Sequence, residues 1–205
     1  MTFRGWPPEA VSFFEGLEAD NTKTYWQAHK ATYETAVRAP MEALLEDLEA
    51  DFGPGRVFRP YRDTRFSKDK TPYKLACAAH LRDGYVSLSA DELFVGSGLF
   101  MPEPEALRRY RAAVDDDVAG VELESIVSTL RSTGYEVGGH DELKTAPRGY
   151  PTDHPRLALL RQKGVVMSKA WPVGAWTATR KAKDRVVAGL EAARPLNAWI
   201  GRHVA

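Results

Sequence analysis

Apolar positions recur at helical spacing over the first fifty residues. From Pro8 to Leu17, Ala10, Val11, Phe14 and Leu17, with Phe13, fall on one side of a helix that Gly16 brings near its end. Asp20 or Asn21 can cap a second helix through Tyr25, Trp26 and His29, because a short side-chain acceptor there satisfies a first-turn N–H. Pro40 suits the first turn of a third, in which Met41, Leu44, Leu45 and Leu48 keep the same spacing until Gly53-Pro54-Gly55 breaks it. The pattern then changes to short apolar runs. Leu75 to Leu81 and Tyr85 to Ser89 flank Arg82-Asp83-Gly84, and Asp-Gly between two such runs is a strong hairpin signal. Leu93 to Val95 supplies a third strand after the Ala90-Asp91-Glu92 turn and Phe58 to Arg62 a fourth, so antiparallel pairing is expected.

Helical spacing returns after Pro102, first with Leu107, Tyr110 and Val114, then with Leu123, Ile126, Val127 and Leu130. Gly134 and Gly138-Gly139 predict an irregular segment. Residues 145–155, TAPRGYPTDHP, predict a constrained loop in which Asp153 caps a helix opened by Pro155. Val165 to Met167 reads as a strand. A final helix from about Ala178 carries Val186, Val187 and Leu190, with Pro195 bending or interrupting it before Trp199 and Ile200. Strands between helical blocks make the expected class α+β: a single domain over residues 1–205, its central, mainly antiparallel sheet packed by N- and C-terminal helices.

With 205 residues, 43% hydrophobic and 27% charged, the chain has enough apolar material for one sizeable core. No apolar run approaches the roughly 18 residues of a membrane span, and Met1 to Arg4 leads into a polar, acidic helix, so a soluble cytoplasmic protein with no membrane partner is expected. The single cysteine, Cys77, excludes internal disulfides and a cysteine-based zinc cage, and its alanine neighbours suggest simple burial. The net charge of zero hides a sorting along the chain. Residues 1–55, 56–74, 75–143 and 144–205 carry −6, +5, −8 and +9. Such blocks either form opposed surface patches, which steer ligands or drive self-association, or neutralise one another in the fold.

The +5 block holds Arg56, Arg59, Arg62, Arg65, Lys68, Lys70 and Lys74 against Asp63 and Asp69. Arg62 and Arg65 offer planar donor forks for carboxylate or phosphate, and Lys68, Lys70 and Lys74 add point charges. Thr64, Ser67 and Thr71 add hydroxyls, while Pro72 lowers the ordering cost of a binding loop. The alternative is a structural network in which the arginines pair with Asp63, Asp69 or the acidic helices. A second polar island, Arg148, Tyr150, Asp153 and His154, can complete a cleft with the first. There His154 is the candidate general acid or base, oriented by Asp153 or Asp63, or else a histidine satisfied within the core. Asp63, between two arginines, is held ionised and reads as an organiser or a salt-bridge partner.

Other motifs carry less chemistry. Ser67 and Lys70 match S-x-x-K, but Pro72 disfavours the helix that brings such side chains together. Gly96-Ser97-Gly98 lacks the third glycine of a dinucleotide fingerprint and suits a close-packed or bulged strand. His29, His80, His140, His154 and His203 show no metal-ligand spacing, so no metal and no cofactor are expected. Arg180, Lys181, Lys183 and Arg185, near Trp171 and Trp176, admit nucleic-acid binding, against the plainer reading of a solvated helix face and core tryptophans.

Four motifs occur in order: NTKTYW from Asn21, RPYRDTRFSKDKTPYK from Arg59, GSGLFMP from Gly96 and APRGYPTDHP from Ala146. With them the chain resembles, over nearly its whole length, the family catalogued as domain of unknown function 2461. The resemblance implies a single α/β domain and no activity, cofactor or catalytic residue to carry over. The functional expectation therefore comes from the residues. It is binding of an anionic or phosphorylated small molecule by Arg62, Asp63, Arg65, Ser67, Lys68, Lys70 and Lys74 with Arg148, Tyr150 and His154, catalysis being open. The alternatives are a noncatalytic module for nucleic acid or an acidic protein, and a self-associating scaffold.

Overall fold

The computed structural model describes residues 2–65 and 67–205; Met1 and Phe66, the aromatic inside the basic run, lie outside the described residues. Helix α1 (Pro8–Ala19) opens with Pro8 in its first turn, where the missing N–H costs nothing. Thr22, rather than Asp20 or Asn21, caps α2 (Lys23–Thr32), its hydroxyl oxygen accepting the Tyr25 N–H at 3.2 Å. The third helix is not separate. A π-helical turn, Tyr33–Arg38, joins α2 directly to α3 (Ala39–Phe52), and the Ala39 N–H reaches back five residues to the Glu34 carbonyl. Pro40 cannot donate an N–H and its ring crowds the carbonyl four residues behind it, and the wider turn accommodates both demands without ending the helix.

Six strands among the described residues form one antiparallel sheet in the order β1-β2-β3-β4-β6-β5. They are β1 (Gly55–Val57), β2 (Ala76–Leu81), β3 (Gly84–Ser89), β4 (Glu92–Leu99), β5 (Glu136–Gly138) and β6 (Val165–Pro172). The architecture is α+β, as the pattern of elements indicates. The strand expected at Phe58 to Arg62 lies earlier, at β1. Pro60 has no N–H for the ladder, so regular pairing with β2 stops and resumes only as an isolated Tyr61–Tyr73 bridge. In the β2–β3 hairpin Leu81 pairs with Gly84, so Arg82-Asp83 make the turn and Gly84 already belongs to the strand. Strand β5, read as irregular from its glycines, has one buried apolar residue, Val137, too little to show a period.

The remaining helices are α4 (Pro104–Asp115), α5 (Ala119–Ser132), α6 (Leu157–Arg161), α7 (Lys181–Ala192) and α8 (Arg194–His203), with a 3-10 turn at Ala175–Ala178. Pro195 sits in the first turn of α8 and separates it from α7. Helix α6 begins two residues beyond Pro155 with Arg156 at its N-cap, so Asp153 does not cap it. Among the described residues no helix is long and apolar enough to cross a membrane.

The chain divides into two compact units, Met1–Val95 with Ala170–Ala188, and Gly96–Lys169 with Gly189–Ala205. In the first, Phe14, Leu17, Val37, Met41, Leu44 and Leu48 from the helices are buried together with Cys77, Ala79, Val86, Leu88, Leu93 and Val95 from the strands. Cys77 is 2% exposed, and burial pushes its thiol up to about 12. In the second unit, α4, α5 and α8 bring Tyr110, Leu123, Val127 and Trp199 onto Leu160, Val165 and Met167. The polar tips of its two large aromatics are satisfied, Tyr110 donating to the Leu159 carbonyl at 3.0 Å and Trp199 to that of Ala119 at 2.9 Å. Gly98 and Gly164 explain the G-S-G run as close packing. A Cβ on either would lie 2.3 Å from a carbonyl oxygen, of Val165 and of Leu99 respectively, and both glycines have positive φ.

Candidate functional site

The basic run forms a long hairpin loop in the first unit. Its base is an extension of the β1–β2 ladder: Phe58 N–H donates to the Ala78 carbonyl at 2.8 Å, Lys74 N–H to Pro60 at 2.8 Å and Arg62 N–H to Pro72 at 2.9 Å. Asn21 pins the returning strand, its amide donating to the Tyr73 carbonyl and accepting the Tyr73 N–H, both at 3.1 Å. The Tyr73 ring stacks on buried Trp26 at 4.4 Å with planes 7° apart. Asn21 and Trp26 both belong to the NTKTYW motif, whose role is thus to hold the hairpin.

At the tip, two aspartates organise the turns. Asp63 Oδ1 accepts the Arg65 N–H at 3.2 Å and Asp69 Oδ1 the Thr71 N–H at 2.9 Å, each the i to i+2 geometry that aspartate favours. The same carboxylates take the two arginine forks. Arg65 bonds Asp63 with Nε at 3.0 Å and Nη2 at 2.7 Å, and Arg62 Nη1 donates to both Asp69 and Thr71. The Arg62 guanidinium, with the Thr71 N–H and hydroxyl, holds the Asp69 carboxyl at about 2, and the Arg65 side chain and N–H hold Asp63 below the usual carboxylate range. Lys70 closes the tip by donating to the Thr64 carbonyl at 2.8 Å, and Ser67 N–H donates to the same oxygen at 3.3 Å. Lys74 lies over the Phe58 ring, 5.3 Å from its centroid.

Both carboxylates of the run are therefore engaged by Arg62 and Arg65; Arg56, Arg59, Lys68, Lys70 and Lys74 make no ion pair among the described residues, although the charge of Arg59 also helps to lower Asp63. Arg62, Asp63, Arg65, Ser67, Lys68, Lys70 and Lys74 share this one hairpin.

The second island belongs to the second unit and has a different character. Arg148 is exposed and Tyr150 half-buried against the apolar core, its phenol raised by burial and then by the charge of Asp115. The His154 side chain is only 8% exposed, with Nε2 3.0 Å from Asp115 and Nδ1 accepting the Arg156 N–H at 3.0 Å. Both ring nitrogens are committed: Nδ1 is the acceptor, so Nε2 carries the proton that points at Asp115.

Beside it lies Arg156, whose partners are some forty residues away in the sequence. The Arg156 side chain, 6% exposed, donates from Nε to the Val114 carbonyl at 2.6 Å and from Nη2 to the Asp115 carbonyl at 2.9 Å and Asp117 at 3.3 Å. It closes the C-terminus of α4, where unpaired carbonyls and the helix dipole favour a cation. The signal was the acidic run Asp115-Asp116-Asp117, a helix end short of positive charge.

The C-terminal basic run is half engaged within the first unit. Lys183 Nζ lies 2.9 Å from Asp47, whose carboxyl it lowers, and the Arg185 guanidinium sits 3.6 Å over the Trp176 ring. Among the described residues no group of three histidine, cysteine, aspartate or glutamate side chains could hold a metal.

Among curated proteins none matches the chain significantly. The family described as "Conserved hypothetical protein (DUF2461)" matches residues 9–199, a span that contains the helix pinning the hairpin, the hairpin, the G-S-G strand and the Arg148–Arg156 segment. The chain belongs to that family.

Proposed function

We propose that the hairpin from Arg56 to Lys74 binds an anionic ligand through phosphate or carboxylate groups. The observation that supports it is the unequal balance of the hairpin: its two acids are paired by Arg62 and Arg65, and five further cations make no ion pair among the described residues, only Arg59 among them adding its charge at Asp63. Charges of one sign held on a pinned backbone repel one another, and a multivalent anion relieves that repulsion at little ordering cost. The Asp63 and Asp69 pairs then serve as scaffold. His154 is outside the proposed site, since a base with both nitrogens bonded has no lone pair for a ligand.

Calorimetric titration with inorganic polyphosphate, from about 50 to 200 mM salt, tests the proposal. Affinity should fall steeply with salt, and the double variant Arg59→Gln, Lys68→Gln, which removes no described hydrogen bond, should flatten the slope by roughly 0.7–0.9 per lost contact. Binding that is absent at low salt, or unchanged in the variant, would overturn it.

A further inference from the structure

One face of the first unit's strands, exposed at Phe58 and His80, adjoins the hairpin. Side chains alternate along a strand, so the β1–β2–β3 register decides which residues share a face. Arg56 pairs with His80 and His80 with Tyr85, which sets these three side by side, opposite the face of buried Ala79 and Val86. Phe58, two residues beyond Arg56, joins them: its ring centroid is 5.4 Å from that of His80 and 6.2 Å from that of Tyr85. The Tyr85 ring is in turn 5.9 Å from Phe94 on β4. Phe58 is 39% exposed, His80 is exposed, and Tyr85 and Phe94 are half-buried. The cross-strand pair beside the rings is Ala78 and Ser87, too small to rise over them.

We infer that the anion taken by the hairpin is single-stranded nucleic acid, whose bases stack on the Phe58–Tyr85 face while its phosphates meet the hairpin cations. The inference rests on the anion-binding proposal and names its ligand. Three observations favour this occupant. The Phe58, His80 and Tyr85 rings adjoin one another, Phe58 tilted 31° to His80 and 37° to Tyr85, and antiparallel sheets with exposed aromatics bind unpaired bases by stacking. Phe58 and Tyr85 offer two neighbouring seats rather than one, while Phe94 meets Tyr85 edge-on at 74° and buttresses it. Lys74 joins the two parts, its ammonium 5.3 Å from the Phe58 ring centroid, which puts a cation within reach of the backbone of a strand stacked on the neighbouring rings. Arg56 stands at one end of the row and Arg59 follows Phe58. Glu92, on the Phe94 side of the alternation, marks the end from which phosphates are repelled.

An acidic peptide would meet the cations but leave the rings without planar partners, and a duplex hides its bases inside the stack. Ribose and deoxyribose strands present the same two chemistries, base faces and phosphates, and the test separates them.

The experiment is fluorescence anisotropy with end-labelled oligothymidine, oligouridine, an abasic deoxyribose-phosphate strand of equal length, a duplex and poly-glutamate. The expected result is that one or both base-bearing single strands bind at least tenfold more tightly than the abasic strand and the other probes. Phe58→Ala and Tyr85→Ala should each lower that affinity roughly five- to a hundredfold while leaving abasic-strand binding unchanged. Phe58→Leu keeps the bulk without the π face, so its loss of affinity separates stacking from folding. Equal binding of base-bearing and abasic strands, with the aromatic variants silent, overturns this inference and leaves the anion proposal standing. Failure of every polyanion to bind at low salt overturns both. Poly-glutamate binding as tightly as the oligonucleotides overturns the choice of nucleic acid.

Discussion

The hairpin of the first unit and the Arg148–Arg156 segment of the second are written in similar letters. Both combine arginine, tyrosine, aspartate and proline in a constrained stretch, yet they come to opposite ends. In the hairpin, the Arg65 side chain is 77% exposed and its partner Asp63 45% exposed, so the pair orders a turn in water. In the second segment the Arg156 side chain is 6% exposed and spends its donors on the last carbonyls of α4. The contrast teaches that a polar cluster is classified by what its donors meet. One set leaves cations without an ion pair among the described residues; in the other, Arg156 is absorbed by a helix end.

That contrast can be broken by experiment. The largest effect is expected at Arg156: replacement by Met strands the Val114 and Asp115 carbonyls in a buried place and should cost about 3 kcal/mol, read as a lowered denaturant midpoint. An unchanged midpoint would remove the helix-capping role. Next comes Asn21→Ala, which takes away both bonds to the Tyr73 backbone. It should cost about 1–2 kcal/mol and speed proteolysis at Lys68 and Lys70, whereas uniform protection would show that the Trp26–Tyr73 stack alone pins the loop.

Acid titration sharpens the comparison at the hairpin itself. The folded value of Asp69, about 2, lies below the ordinary carboxylate value near 4. Its contribution to the hairpin is therefore full above about pH 4 and lost as the pH falls toward 2. Carboxyl NMR should follow that step, and Arg62→Gln should return Asp69 toward its ordinary value; a titration unmoved by the variant would dissolve the pair. The smallest effect is expected from Arg65→Ala. Exposed ion pairs contribute little, so the global midpoint should hardly move while the Asp63 titration shifts upward. A large loss of stability there would make the two regions alike after all.

Parts of this were open to reading in the chain. The stripes of α1, α3 and α5 repeat at 3.6 residues, and the β2–β3 hairpin was bracketed by its turn. The π-helical turn was not, because Pro40 is equally at home in a first turn and beside a widened one. Strand β1 was misplaced by Pro60, since apolar Phe58 and Tyr61 look strand-like to a pattern that ignores the missing N–H. At the site, the seven basic and two acidic residues were visible, but the carboxylates' partners were not. Arg62 reaches Asp69 seven positions on, while Arg65 turns back two to Asp63. The role of Arg156 has no local signature, because its partners are some forty residues away, on another helix.

By itself the sequence determined the α+β class, most helical faces, the charge excess of the hairpin and the family. These are local or additive properties, carried by period and count. Tertiary structure alone decided which cations remained without an ion pair among the described residues, that Arg156 closes α4, and that Phe58, His80 and Tyr85 share a face. Each of those depends on strand register and on contacts between distant segments, and a shift of one residue in register would send every ring to the opposite side.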